Sequence, residues 1–143
     1  MAFEFPDRVP LARIPTPIHR LERLSKAWGA DLWIKRDDLT GAALSGNKIR
    51  KLEFELAEAI ARKARAVVTC GGLQSNHARA TAIAARQLGL EPHLVLRTPD
   101  GKAPPEWDGN LLLDRLVGAE ITWITPEQYR NERAAIMAGI AEK

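Results

Sequence analysis

The chain has 143 residues, of which 45% are apolar and 27% charged, and its formal net charge is +3. These values fit one compact globular domain or a piece of something larger, and they exclude a disordered tail. The single cysteine, Cys70, excludes an internal disulfide and a cysteine-rich metal site. Lys and Arg are interleaved with Asp and Glu, which leaves no basic stripe of the kind nucleic-acid binders carry.

No stretch approaches the ~20 apolar residues of a membrane span. Residues 1–7 lack the charged start and apolar run of a secretory signal. A reducing, cytoplasmic location is the default expectation.

Residues 1–18 carry Pro6, Pro10, Pro15 and Pro17 and are predicted as an extended lead-in. A short helix is predicted over Ile18 to Trp28, stopped by Gly29. Leu32-Trp33-Ile34 is a short strand, followed by the polar turn Lys35-Arg36-Asp37-Asp38 and a loop over residues 40–47. From Lys48 onward Ile49, Leu52, Leu56 and Ile60 recur at helical spacing, with Asn47 as the expected N-cap and Glu58–Arg62 as an i,i+4 pair.

A regular alternation follows. Ala66 to Cys70 reads as a strand, Gly71 to Ser75 as a loop, Asn76 to Leu88 as an Ala-rich helix closed by Gly89, and His93 to Leu96 as a strand. A proline-rich loop then leads to a helix over Asn110 to Val117, a third strand over Ile121 to Ile124, and a last helix opened by Pro126. Strands and helices at this spacing predict an α/β fold, a small parallel sheet flanked by helices. Ligands of such sheets bind where strands end, which singles out the Gly71 to Asn76 loop.

Two stretches could carry chemistry: Ser45 to Glu53, and Gly72 to His77. A lysine must be neutral to attack a carbonyl. Lys48 falls in the first turn of a helix, where positive partial charge gathers, with Arg50 and Lys51 nearby, and these surroundings are expected to lower its pKa. An ordinary surface lysine is the alternative that position alone leaves open. Ser75, Asn76 and His77 stand where a strand gives way to a helix, a place suited to an anion, a carboxylate or a phenolic oxygen. Plain N-capping by Ser75 or Asn76 explains the same residue types.

No Ser-His-Asp constellation and no metal-ligand spacing is evident. His19 and His93 are isolated, and Cys70 reads as a small buried residue. Neither G-x-G-x-x-G nor G-x-x-x-x-G-K-[ST] occurs, so a nucleotide-binding module has no motif behind it.

Taken together, Lys35 to Gly41, Ser45 to Glu53 and Gln74 to Arg79 resemble the D-cysteine desulfhydrase and 1-aminocyclopropane-1-carboxylate deaminase family, as does Gly109 to Leu116. The resemblance runs from about Pro15 to Thr125, with the segments in the family's order. It implies the cofactor pyridoxal phosphate, held covalently by Lys48, which could also move protons afterwards. It implies that Asn76 hydrogen-bonds the cofactor's phenolic oxygen, that Ser75 lies near the substrate carboxylate or reacting carbon, and that Gln74 and His77 shape the same pocket. Catalytic roles thus fall to Lys48 and Ser75.

The family is similar in fold to the tryptophan synthase β group, with two α/β domains and the cofactor between them. The resemblance therefore implies that residues 1–50 form an N-terminal arm and lysine-bearing segment of a larger, mostly absent cofactor domain. Residues 51–143 then form the small α/β domain. The family's glycine-rich phosphate loop, the residue facing the pyridine nitrogen and its active-site tyrosines are expected beyond position 143. Ser45 stands where many members have another glycine.

The implied reaction is that of a lyase or deaminase of small amino acids. D-cysteine is the leading substrate (elimination to pyruvate, ammonia and sulfide), with 1-aminocyclopropane-1-carboxylate and cysteate as competitors. The expected partners are a small amino acid and either a second copy or a complementing C-terminal half, with no nucleic acid and no membrane. A non-catalytic module that docks to a partner chain is the alternative.

Overall fold

The computed structural model describes residues 5–142. Residues 1–4, where the expected lead-in begins and which belong to the stretch read for a secretory signal, lie outside the described residues, as does residue 143. The elements run in the order β1 (Ile18–Arg20), α1 (Glu22–Trp28), β2 (Trp33–Lys35), α2 (Lys48–Ala61), β3 (Ala66–Gly72), α3 (Asn76–Gln87), β4 (Glu91–Arg97), α4 (Gly109–Leu116), β5 (Glu120–Ile124), α5 (Pro126–Asn131) and α6 (Arg133–Ala141).

The expected α/β architecture is present. Strands β3, β4 and β5 form a parallel sheet in that order, with Ala66 opposite Glu91 and His93 opposite Glu120 at its lower edge. Side chains alternate across the sheet. Leu94 and Leu96 pack with Ala78 and Ala82 of α3 and Leu111 of α4 on one face. On the other, Ala66, Val68, His93 and Thr122 line a groove of about 870 Å³ beneath α6.

Helix α2 lays Ile49, Leu52 and Leu56 against Ala80, Ala84 and Ile83 of α3. Alanines let the two backbones approach closely, and the buried stripe supplies the stability that a short helix lacks on its own. Ile60, expected on that stripe, is 43% exposed, and Ala59 packs at the core's margin instead. Glu53, also on the inner side of α2, is buried, and its Oε1 accepts the backbone N–H groups of Leu11 and Ala12 at 2.8 Å each. The lead-in is thus fastened to α2 by a carboxylate whose burial those donors offset.

Three local expectations are corrected. Residues 18–28 do not form one helix. Ile18–Arg20 is extended and pairs antiparallel with Trp33–Lys35, in register Ile18↔Lys35 and Arg20↔Trp33. Ladder hydrogen bonds, with Arg20 Nε donating to Asp31 Oδ1 at 2.6 Å, hold it out of the helix. The second strand therefore finds its neighbour within this chain.

Asn47, the expected N-cap of α2, has helical backbone angles (φ −71°, ψ −12°) and makes no side-chain cap bond. A capping side chain needs an extended residue to reach back over the first turn.

The last helical stretch is two helices, not one. A capping box between Thr125 and Gln128 starts α5, and Glu132, at φ −121°, separates it from α6.

Candidate active site

Both chemistry-bearing stretches lie at the same end of the α2–α3 pair. Lys48 is half-buried in the first turn of α2, and Ser75 to His77 form the turn from β3 into α3. The turn that carries Lys48 is anchored by Arg50, which donates from Nε and Nη2 to the two carboxylate oxygens of Asp37 at 2.7 Å each. That fork, together with the Thr16 hydroxyl, holds the Asp37 pKa down at about 2. Arg50 was expected to act on Lys48 through its charge; the structure pairs that charge with Asp37.

The strand-end turn is built around close approach. Gly71 has no side chain because a Cβ there would stand 2.6 Å from Ser75 Cβ. Ser75 is the N-cap of α3, with extended backbone angles and Oγ accepting from Ala78 N at 3.1 Å. Its hydroxyl can still donate, because an accepted bond uses a lone pair and leaves the O–H free.

Gln74 turns the other way. Its Oε1 accepts from Asn110 N at 2.8 Å and its Nε2 donates to Asp108 Oδ1 at 2.8 Å, so it caps α4, whose own N-cap residue Asp108 makes no side-chain cap bond. Gly109, at φ +51°, leaves room for this, since a Cβ there would meet Gln74 Oε1 at 2.6 Å.

Asn76 is exposed at the head of α3, and its Oδ1 accepts from Asn110 Nδ2 at 3.0 Å and from Arg79 Nη2 at 3.4 Å. Two donors on the oxygen fix which end of the amide is which. The nitrogen end carries no hydrogen bond among the described residues and is the end available to a ligand oxygen.

His77 is half-buried, and its pKa is lowered first by that burial and then by the charge of Lys51, with Lys48 adding and Glu55 opposing. Its Nδ1 is buried, without a hydrogen-bond partner among the described residues. It lines a small cleft of about 220 Å³ with Leu52, Glu55, Leu56 and Thr81. The Lys48 charge reaches His77, and Arg79 Nη2 donates both to Ser45 O and to Asn76 Oδ1, so the loop before Lys48 and the strand-end turn are neighbours.

Arg79, Asn110 and Asp114 lie behind these residues; the sequence reading used them in the family resemblance and assigned them no part in the site. Arg79 is 4% exposed and Asp114 is 1% exposed. The available signal was the run Ala78 to Ala85, small residues on every side of a helix, which marks a helix enclosed all round and hence an enclosed arginine. His19 and His93 are accounted for elsewhere: His19 Nδ1 meets Arg36 at 3.2 Å and His93 pairs with Glu120 at 3.2 Å. Among the described residues no cluster of three or more His, Cys, Asp or Glu could hold a metal ion.

Comparison with known proteins gives this arrangement a family. The model of the pyridoxal-phosphate dependent enzyme family matches residues 9–143. The bifunctional D-cysteine desulfhydrase/1-aminocyclopropane-1-carboxylate deaminase of Arabidopsis thaliana is 54% identical over 123 residues, covering 85% of this chain and 31% of the relative. A D-cysteine desulfhydrase of Yersinia enterocolitica is 41% identical over 137 residues, covering 94% of this chain and 41% of the relative. Among solved structures, an ACC deaminase homologue superposes with a TM-score of 0.79 at 42% identity, over 96% of this chain and 40% of that one. The chain therefore spans well under half the length of these relatives. Over nearly all of its own length, it belongs to the pyridoxal-phosphate dependent enzyme family.

Proposed function

We propose that this chain is the lysine-bearing N-terminal portion of a pyridoxal-phosphate-dependent lyase or deaminase of small amino acids, most closely of the D-cysteine desulfhydrase kind. The observation that carries the reading is the Asn76 amide, held by Asn110 and Arg79 with its nitrogen free, at the head of a helix beside the Lys48 turn. That donor set fits the aldehyde and ring-oxygen end of pyridoxal phosphate: an amine to bind it, an amide N–H to meet its phenolic oxygen, and a helix N-terminus for a neighbouring carboxylate.

When bound, the cofactor supplies the electron sink, and the protein's part is to orient and to move protons. Lys48 Nζ binds the cofactor and afterwards carries a proton at the reacting carbon. Asn76 Nδ2 donates to the ring oxygen. Ser75 Oγ, already anchored by Ala78 N, donates to the substrate carboxylate or works beside the reacting carbon. His77, desolvated and pressed by cationic neighbours, lines the pocket in its neutral form. Gln74 contributes by holding α4 against the strand-end turn.

D-cysteine is the leading substrate, with elimination to pyruvate, ammonia and sulfide. The names of the Arabidopsis and Yersinia relatives support it, and 1-aminocyclopropane-1-carboxylate is the competitor supported by the first of them. In this reading residues 1–50 belong with the cofactor domain and residues 51–143 form the small domain. The site is completed by a C-terminal portion, supplied by a complementing half or within a homo-oligomer, and the protein works in the cytoplasm. No described helix is long and apolar enough to cross a membrane.

The test is chemical. The chain is incubated with pyridoxal phosphate, reduced with borohydride and mapped by peptide mass. The pyridoxyl group is expected on Lys48. An adduct on Lys51 or Lys35 with Lys48 unmodified refutes the assignment.

A further inference from the structure

Helix α3 buries an arginine that has no carboxylate at hydrogen-bonding distance among the described residues. Arg79 Nη1 donates to Ala43 O, Nη2 donates to Ser45 O at 3.0 Å and to Asn76 Oδ1 at 3.4 Å, and Nε donates to Asn110 Oδ1 at 3.1 Å. Burying a guanidinium is costly, and an apolar side chain of similar volume would fill the same space at less cost. Packing alone does not account for the residue. Its directional bonding does, because a planar fork of five N–H groups can hold several acceptors at fixed angles.

Those acceptors belong to three different segments. Two are main-chain carbonyls of the loop that runs into Lys48. One is the amide of Asn76, and one is the amide of Asn110 at the head of α4. Asn110 closes the circuit, because its Nδ2 donates to Asn76 Oδ1 and to Gln74 O at 3.0 Å each.

We infer that Arg79 is a positioning residue that, with Asn110, sets the orientation of the Asn76 amide and fixes the Lys48 loop against it. This rests on the functional reading above only in taking Asn76 and Lys48 as the groups being positioned. Lysine at position 79 would keep the charge and lose the fork, so it could not hold the loop carbonyls and the amides at once.

The experiment uses the whole chain, ¹⁵N-labelled, as wild type, Arg79→Lys and Asn110→Ala. Two signals are read. One is exchange of the Gly46 amide, which donates to Asp37 O at 2.8 Å inside the clasped loop. The other is the side-chain amide resonance pair of Asn76. Loss of one charge-assisted bond should speed Gly46 exchange in Arg79→Lys about tenfold or more, while amides of β4 stay within about twofold. Asn110→Ala should shift the Asn76 amide pair and leave Gly46 exchange near wild type.

Unchanged Gly46 exchange in Arg79→Lys, or an increase spread uniformly over the chain, overturns the clasp. If Arg79→Lys does not fold, Asn110→Ala decides, and unmoved Asn76 signals overturn it. Absence of a pyridoxyl group on wild-type Lys48 counts against the functional reading alone, since neither signal requires the cofactor.

Discussion

Arg79 and Asp114, both buried where α3 meets α4, act on each other through charge without sharing a hydrogen bond. Burial pushes the Asp114 carboxyl up to about 7, against the opposing pull of the nearby guanidinium, and among the described residues Asp114 Oδ1 has no hydrogen-bond partner. The pair is therefore not a salt bridge of the usual kind. It is a carboxyl group held near neutrality behind the candidate site.

A pH dependence follows. The folded-state pKa lies above the ordinary value of 3.8, so the folded chain favours the protonated carboxyl. The stability this gives is complete below about pH 4 and is lost as pH rises through about 7. Asp114→Asn should be more stable than wild type at pH 8, by up to about 4 kcal/mol as an upper bound, with the gap closing toward pH 4. Urea midpoints at the two pH values measure it. A variant less stable than wild type at pH 8 would show that the Asp114 charge supports Arg79 instead.

The strand-end turn should be intolerant of a single methyl group. In Gly71→Ala the new Cβ would stand 2.6 Å from Ser75 Cβ and 2.7 Å from its Oγ, and neither end of that contact is a flexible side chain. A loss of about 1–3 kcal/mol is expected, with the α3 cap disturbed. Thermal unfolding gives the first quantity, and exchange at the Ala78 amide reports the second. Wild-type protection at Ala78 would contradict the geometry.

Ser75 and Asn76 should separate by readout. With pyridoxal phosphate bound, Asn76→Ala should alter the near-visible spectrum, because the donor to the ring oxygen is gone. Ser75→Ala should leave the spectrum largely intact and, in a form complemented with the C-terminal portion, slow turnover of D-cysteine. It should also cost about 1 kcal/mol of stability through the lost cap. If neither variant changes spectrum or turnover, the turn only caps a helix.

Glu53 should prove to be the fastening of the lead-in. Glu53→Ala removes the acceptor of the Leu11 and Ala12 amides and the partner of Arg8 at 3.4 Å. Exchange at those two amides is expected to rise by about tenfold or more, since hydrogen bonds to a buried charged group are worth about 1.5–3 kcal/mol. Exchange in β4 serves as the control. Equal protection in the two proteins would show that the lead-in is held by other contacts.

What the sequence conveyed depended on how local the signal was. The alternation of β-branched runs with alanine-rich segments announced β3 to β5 and their helices, because period and composition are properties of neighbouring residues. Ile18–Arg20 was misread as helix because its partner, Trp33–Lys35, lies more than ten residues away and the ladder between them leaves no local trace. Within the site, Lys48, Ser75 and Asn76 stood out by their place at helix starts. Gln74 is in the right turn, yet its amide serves α4, a fact visible only once α4 is placed beside it. Arg79 and Asp114 were given no individual role, because burial is a property of the assembled fold.

Helix α3 is walled by both cores through Ala78, Ala80, Ala82, Ala84 and Ala85, none of which is exposed at all. Such a helix has no slack. A methylene added on either flank cannot be absorbed by a rotamer change and must be taken up by shifting the whole rod, whose free end carries Ser75 and Asn76. Altering the chemistry of this site by mutation is thus a task for residues across the opening. The quiet alanines, spread over about the first three turns of the helix, work as its alignment screws.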